Sequence, residues 1–507
     1  MRAAYRADEV RAAEAELMAT LPEGALMARA AAGLATECVR LLGPVYGRRV
    51  VLLVGAGNNG GDALYAGATL ARRGARVDAV LLAPDRVHEG GLGALTAAGG
   101  RTHSGEGSVR GATGSAARAA IAGAELVLDG IVGTGGHGGL RAPADELVAA
   151  AEKASARILA VDVPSGVEAD TGVVAGAAVS ADVTVTFGVL KPGLLVGAGA
   201  EHCGEVRWVD IGLEPHLPKP SVFVLEADDV AAELTPPGPS DDKYTRGVVG
   251  VVSGSAGYPG AAVLSTGAAL HGGAGMVRYV GAAADAVRAR WPEAVIHPSL
   301  DQAGRVQAWV IGPGLGTGDD AARALEQVLA ADVPVLVDAD AITLLAHRRG
   351  LLEDRTAPTV LTPHDREFER LFGPVGADRI AAARRAAADS GATVLLKGNA
   401  TVVADPSGDV YVNRTGTPWL GTAGSGDVLS GLGGSILAAL ADPDGNSTSS
   451  ASSTMTSALA TRAAATAAFV HGVAGQIAAL DGPPTSADVL SGVRGALRSI
   501  SGAPRPN

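Results

Sequence analysis

The chain has 507 residues, which suggests two to four domains at roughly 150 residues each. It is 47% hydrophobic, enough to bury sizeable cores, and its 71 glycines follow no G-X-Y period, which excludes collagen. A net charge of −12 and an aromatic content of 3% argue against nucleic acid and anionic membranes, which call for a cationic footprint, and against single strands, which call for stacking surface.

The N-terminal stretch MRAAYRADEVRAAEAELMA is charged throughout and has no apolar core of a secretory signal. The following pattern predicts two helices, with Val10, Ala13 and Leu17 and then Leu26, Ala30 and Leu34 at helical spacing, separated by Pro22-Glu23-Gly24. Five apolar runs come next: RVVLLVGAG from Arg49, RVDAVLLAP, AELVLDGIVG, ARILAVDVPSG and ADVTVTFGV. Alanine-rich segments of helical length lie between them, so a parallel sheet covered on both faces is expected. Near residues 214–220 prolines crowd the sequence, and a boundary is placed there, giving domains 1–215 and 222–507. After a lead-in strand and short helix the alternation resumes with GVVGVVSGS, AGMVRYV, AWVIGPG, VPVLVDAD, PTVLTP, ATVLLKG and TVVADPSG. The fold class is therefore α/β, in two different domains. Residues 444–457 are rich in serine and threonine and predict a flexible insertion. Cys38 and Cys203 form no C-x-x-C pair and are expected to be buried thiols in a reducing compartment. The alanine-rich stretch near the C-terminus is broken by Arg462 and His471, so no membrane span is expected and the protein is placed in the cytoplasm.

In the first half, GAGNNGGDALYAG follows a strand and opens a helix. Gly55, Gly57 and Gly60 satisfy G-x-G-x-x-G, with Asp85 after the next strand, which alone suggests either a dinucleotide fingerprint or a ligand-free glycine turn. Asn58, Asn59 and Asp62 add more polar groups than a turn requires and suit a cation or a ribose-phosphate. Asp129 ends the strand of LVLDGIVGTGGHGG, ahead of a loop of bare backbone able to wrap a phosphate. Asp162 and Ser165 end the next strand, although a turn-capping role before Pro164 would also explain Asp162. Ligands bind beyond the carboxyl ends of strands in such sheets, so these ends predict one oxygen-rich site.

In this order, NNGGD, the GTG loop and DVPSG resemble the epimerase domain of the bifunctional NAD(P)H-hydrate repair enzymes, across roughly residues 1–212, and imply a Rossmann-like three-layer fold. The resemblance implies potassium ligands at Asn59, Asp129 and Ser165. It implies that Asn58, Asn59, Gly60, Gly61 and Asp62, the loop Gly133, Thr134, Gly135, Gly136, His137, Gly138 and Gly139, and Asp162 line the hydrated nucleotide, with Asp162 as catalytic acid/base. Ala63 departs from the family, which commonly has glycine after NNGGD, and His137 has no assigned role.

In the second half, Gly257, Gly260 and Ala261 place small residues where a strand meets a helix, which either a ligand or tight packing explains. Asp338 and Asp340 lie at one strand end, His364 and Glu367 just past another, and Lys397 beside a glycine after a third. Taken alone, His364 is read as structural and Lys397 as a surface lysine able to meet phosphates. The decisive segment is GTPWLGTAGSGDVLSGLGG. Gly424, Ser425 and Gly426 offer successive backbone N–H groups at a helix start, and Asp427 stands beside them as a base for a substrate hydroxyl. A merely capped helix would explain Ser425 and Asp427 but not the glycines.

GPGLG, DADA, LTPH, LLKGxxT and GTAGSGD resemble the ribokinase-like ADP/ATP-dependent NAD(P)H-hydrate dehydratases, across roughly residues 225–500. This implies that Lys397, Gly398, Asn399, Ala400, Thr401 and Gly426 hold ADP or ATP with Mg2+, and that Ala261, Gly314, His364 and Asp427 face the hydrate, with Asp427 catalytic. Ala423 and Asp365-Arg366 depart from the family pattern. The implied activity is epimerisation of NADHX and NADPHX followed by nucleotide-driven dehydration of the S form, with no nucleic-acid or membrane partner and with homo-oligomers expected. Two alternatives are a vitamin- or sugar-type kinase that stops at the phosphate ester, and a non-catalytic nucleotide sensor in the first half.

Overall fold

A computed structural model describes residues 1–105, 112–234, 236–353, 355–441 and 456–502. The chain divides into two compact units: Ala3–Ser221, and Val222–Asn507 together with Met1–Arg2.

The N-terminal unit holds a seven-stranded, all-parallel sheet in the order Arg101–Ser104, Arg76–Leu81, Arg49–Val54, Leu126–Gly130, Arg157–Val161, Val183–Phe187, Glu205–Val209. Alternation along Arg49–Val54 explains the layers. Val50, Leu52 and Val54 share a core with Leu34 and Leu64 of the helices Ala25–Leu42 and Asn58–Arg72. Val51 and Leu53 point the other way, into a core with Ile121 and Leu147 of the helices Ala112–Ala122 and Ala144–Lys153. Helices Ala7–Met18 and Ala25–Leu42 are the two predicted from spacing, with Pro22-Glu23-Gly24 between them. The edge strands Arg101–Ser104 and Glu205–Val209 escaped prediction. Only strands with two covered faces read as continuous apolar runs, and neither of these does.

In the C-terminal unit the sheet runs Val222–Val224, Val410–Asn413, Thr401–Ala404, Thr393–Leu396, Thr359–Leu361, Val335–Val337, Ala308–Ile311, Val248–Val252, Met276–Val280, Val295–His297. Thr401–Ala404 is antiparallel to both neighbours, and the other pairings along this run are parallel. Helices Pro259–His271, Ser425–Ala441, Ser457–Ala478 and Ser486–Ile500 contribute to one continuous core with Val249, Val310, Leu336 and Val360 of the sheet. The short strands Val295–His297 and Val410–Asn413 were not predicted, since neither is a long apolar run.

The insertion predicted at 444–457 lies outside the described residues except for its last two. Those two are helical punctuation: the Thr456 hydroxyl accepts from the Leu459 N–H, and Ser457 is the first residue of the helix Ser457–Ala478. Both cysteines are buried, and among the described residues neither forms a disulfide. Among the described residues no helix is long and apolar enough to cross a membrane.

Candidate functional sites

In the N-terminal unit the strand order reverses direction between Arg49–Val54 and Leu126–Gly130, the place where open α/β sheets leave a crevice. A cleft of about 1590 Å³ opens there, lined by Asn58, Asn59, Asp62, Gly133, Thr134 and Asp162 among others. A side chain at Gly133 would come within 2.8 Å of Asn59 Oδ1 and 3.5 Å of Asp162 Oδ2, so the bare glycine lets the two strand ends meet. Asp62 is buried, and its Oδ1 has no hydrogen-bond partner among the described residues. Burial, then the neighbouring Asp162 and Glu14 carboxylates, push the Asp62 carboxyl well above its ordinary range.

Asp162 occupies the left-handed region at φ 66°, a conformation that non-glycine residues adopt mainly where surrounding contacts enforce it. Those contacts are visible. Lys191, 1% exposed, donates to Asp162 Oδ1 at 2.5 Å, to Thr186 Oγ1 at 3.0 Å and to the Phe187 carbonyl at 3.0 Å. The Thr186 hydroxyl and the Phe187 N–H also reach Oδ1, at 3.2 and 3.3 Å. Asp62, its carboxyl raised, and Asp162, held by Lys191, line one cleft, so two carboxyls in unlike surroundings face the same space.

Asp129 is fully buried and accepts from Ser165 Oγ at 2.6 Å, Ser165 N–H at 2.8 Å and Ile131 N–H at 3.2 Å. Burial raises its carboxyl to about 6, although the bonds from Ser165 and Ile131 pull the other way. Ser165 Oγ also lies 3.0 Å from both the N–H and the carbonyl of Val132. The second part of the predicted loop is placed differently: Gly136, His137, Gly138 and Gly139 are not among the cleft's lining residues, and His137 is exposed. Asp85 is likewise exposed, in the turn Pro84–Arg86, and is not among the cleft's lining residues.

In the C-terminal unit four neighbouring parallel strands, Ala308–Ile311, Val335–Val337, Thr359–Leu361 and Thr393–Leu396, lead directly into Gly312, Asp338, Thr362 and Lys397. The start of the helix Ser425–Ala441 comes to the same ends. A Cβ on Gly426 would lie 3.5 Å from Lys397 Nζ and 4.0 Å from Asp338 Oδ2. Lys397 is no surface lysine: its side chain is 20% exposed, and Nζ lies 2.7 Å from Asp338 Oδ1 and 3.9 Å from Glu367 Oε2. Burial opposes its charge, but Asp338 and Glu367 outweigh that and hold the ammonium above the ordinary lysine value. Its carbonyl accepts from Arg379, which also forks onto Asp365 and so braces the Lys397–Gly398 turn. Gly398 and Asn399 are exposed, Ala400 is buried, and Thr401 opens the next strand.

Burial, then repulsion from Asp338, raises the Asp427 carboxyl to about 7, with Lys397 opposing and with Asp340 and Glu367 adding to the rise. His364 is a helix cap, as read: its Nδ1 accepts from the N–H groups of Arg366 and Glu367, at 3.1 and 3.3 Å. Its Nε2 nevertheless lies half-exposed, 3.3 Å from Glu367 Oε1, so capping leaves the ring's other edge available. Ala261 and Gly314 adjoin, since a Cβ on Gly314 would fall 2.7 Å from that of Ala261. His471, buried and far along the chain, bonds through Nε2 to the Ser425 carbonyl at 2.9 Å and pins the helix start.

The family described as YjeF-related protein N-terminus matches residues 23–193, and that described as NAD(P)H-hydrate dehydratase matches residues 249–491. The bifunctional NAD(P)H-hydrate repair enzyme of Mycobacterium leprae is 50% identical over 99% of this chain and 100% of its own length. That of Mycobacterium tuberculosis strain H37Rv is 55% identical over 86% of this chain and 89% of its own. The chain belongs to the bifunctional NAD(P)H-hydrate repair enzymes. A ribokinase-like superfamily protein from Enterococcus faecalis, 25% identical, aligns with 56% of this member and 98% of its own chain at a TM-score of 0.49.

Within this repair enzyme two residues that act on Asp162 were not anticipated from sequence. Lys191 follows the strand Val183–Phe187 and looks like an ordinary loop lysine until its burial is known. Glu14 flanks the apolar stripe of Ala7–Met18, and only the fold brings it to Asp62 and Asp162; burial, then Asp162, raises its own carboxyl against the pull of Lys191 and Arg11.

Proposed function

We propose that residues 1–215 interconvert the R and S epimers of hydrated NADH or NADPH, and that residues 222–507 dehydrate the S epimer with ADP or ATP. The carrying observation is Asp427, a carboxyl raised to about 7 at the start of a helix whose Gly426 lies beside the Lys397 ammonium. Near neutral pH such a group is a competent base for an alcohol. Asp427 takes the proton of the substrate's C6 hydroxyl as that oxygen bonds to the terminal phosphorus of the nucleotide. The bond from that phosphorus to its bridging oxygen breaks, releasing AMP from ADP or ADP from ATP. The amides of Gly424–Gly426 meet the charge that develops. The C6–O bond then breaks with its electrons going to phosphate, assisted by the ring-nitrogen lone pair, and loss of a C5 proton restores the reduced nicotinamide. Ala261, Gly314 and His364 face the hydrate. Lys397, Gly398, Asn399, Ala400, Thr401 and Gly426 hold the nucleotide with its Mg2+.

In the first unit Asp162 is the acid/base group, and Asn58, Asn59, Gly60, Gly61, Asp62, Gly133, Thr134 and Gly135 hold the substrate. Potassium fits the oxygen donors Asn59 Oδ1, Ser165 Oγ and the Asp129 carboxylate. The fit rests on the chemistry of the donor set, since all three offer oxygen, the ligand a hard cation takes, and the bare Gly133 leaves space at Asn59 Oδ1. The ion would supply a fixed positive charge beside the substrate's phosphates.

The test is to incubate mixed NADH hydrates with ADP or ATP and follow recovery of reduced-nicotinamide absorbance with release of inorganic phosphate. A stable phosphorylated product in place of inorganic phosphate would replace the dehydratase with a kinase.

A further inference from the structure

Asp338 is 1% exposed and fully engaged. Its Oδ1 accepts from Lys397 Nζ at 2.7 Å and from Thr362 Oγ1 at 2.9 Å, and its Oδ2 accepts from Ser430 Oγ at 2.6 Å. Thr362 ends the strand lying between those of Asp338 and Lys397, and Ser430 sits one turn into the helix that Ser425 opens. Asp338 thus ties three strand ends and the anion-binding helix start to one ammonium. That ammonium lies beside Gly426, at contact distance, 3.5 Å, from where a Cβ would stand. Among the described residues Asp427 has no ion-pair partner, although Lys397 is close enough to act on it electrostatically.

We propose that Lys397 is the cation that meets the transferring phosphoryl group, and that Asp338 is the positioning residue that holds it toward the phosphate and away from Asp427. This rests on the dehydratase reading and adds to it a division of labour among the charges. Lys397 keeps its proton throughout and donates to the non-bridging oxygens, first of the transferring group and then of the departing phosphate. An ammonium free to rotate would pair with Asp427 and disable the base. Fixing it on Asp338 gives the site a strong cation and an unpaired carboxylate together. The charged groups acting on Asp427 are Asp338, Lys397, Asp340 and Glu367, so changes at the first two have opposite and readable consequences.

The experiment measures dehydration by the full chain from pH 5 to 9, with kcat and the nucleotide KM separated, for wild type, Lys397→Met, Lys397→Arg, Asp338→Asn and Ser430→Ala. Lys397→Met is expected to lower kcat about 10²-fold, as loss of a preorganised charge-stabilising donor does, to change nucleotide KM less than fivefold, and to move the acidic limb upward. Lys397→Arg should recover part of kcat. Asp338→Asn should lower kcat at least tenfold and move the acidic limb downward by about one pH unit, because a repelling charge goes and the ammonium turns to the base. Ser430→Ala keeps every charge and should leave the limb in place. If Asp338→Asn does not fold, the kcat loss and upward limb shift of Lys397→Met decide alone. Retention of kcat within threefold by Lys397→Met, a loss confined to its KM, or an unshifted limb in folded Asp338→Asn would overturn the proposal. A wild-type protein that neither restores reduced nicotinamide nor releases phosphate would sink the dehydratase reading itself, whereas an active wild type with an equally active Lys397→Met sinks only this assignment.

Discussion

Both units set a mostly buried lysine among carboxylates at the carboxyl ends of a parallel sheet, and they aim it differently. In the N-terminal unit Lys191 grips the proposed catalytic carboxylate itself, Asp162, at 2.5 Å. In the C-terminal unit Lys397 grips a third party, Asp338, and leaves Asp427 to a buried, acidic neighbourhood that raises it to about 7. The same pair of residue types therefore yields a clamped carboxylate in one site and a loosely ionised one in the other. Charge inventory alone does not set a carboxylate's role. The identity of its immediate partner does.

The strongest way to break this contrast is at Asp427. Asp427→Asn should reduce dehydration by ~10²–10⁴-fold while nucleotide still binds, measured by phosphate release and by calorimetry with ADP. The wild-type rate should fall as pH drops below about 7, because the base is lost as it protonates. The sign for stability is opposite to that for activity. Folding raises this carboxyl, so the native state keeps a proton that the unfolded chain releases from about pH 4 upward, and the raised carboxyl destabilises the fold increasingly toward pH 7. Asp427→Asn should therefore melt higher than wild type at pH 8 but not at pH 4.

The second test separates the units. Asp162→Ala should remove epimerisation and leave prompt conversion of one epimer, so the time course turns biphasic with only its second phase slowed to the uncatalysed rate. Equal slowing of both phases in a folded variant would mean that the halves do not act independently.

Acid should sharpen the contrast further. Burial lowers His471 to about 4, below the ordinary 6.5, so the unfolded chain takes up a proton there that the native state refuses. The stability this histidine gives is present above about pH 6.5 and is lost as pH falls toward 4, by about 3 kcal/mol at most. Denaturant titrations at pH 7 and 4.5 should show the C-terminal unit losing stability, and His471→Gln should flatten that dependence. The smallest effect lies at the helix start Thr456. Thr456→Ala should cost ~1 kcal/mol through the lost cap, whereas removing residues 444–454 should leave activity unchanged.

Legibility followed distance along the chain. NNGGD, DVPSG and GTAGSGD each carry their geometry locally, because a strand, its turn and the next helix are contiguous, and Asn59, Asp162 and Asp427 could be placed at strand or helix ends from sequence. Lys397 was misread as a surface group because its burial depends on Asp338, 59 residues away. Lys191 and Glu14 were invisible for the same reason, since each acquires meaning only beside Asp162. His471 read merely as a break in an alanine-rich stretch, and only the packing of two helices shows that it fastens Ser425.

The seclusion of Lys191 has an experimental use. At 1% exposure, with three oxygens around its Nζ, its amine has no path to reagents while the N-terminal unit is closed. Acylation at this one residue, followed by peptide mass spectrometry, would count openings of the unit instead of surface encounters, and its rate would report how often the fold around Asp162 breathes.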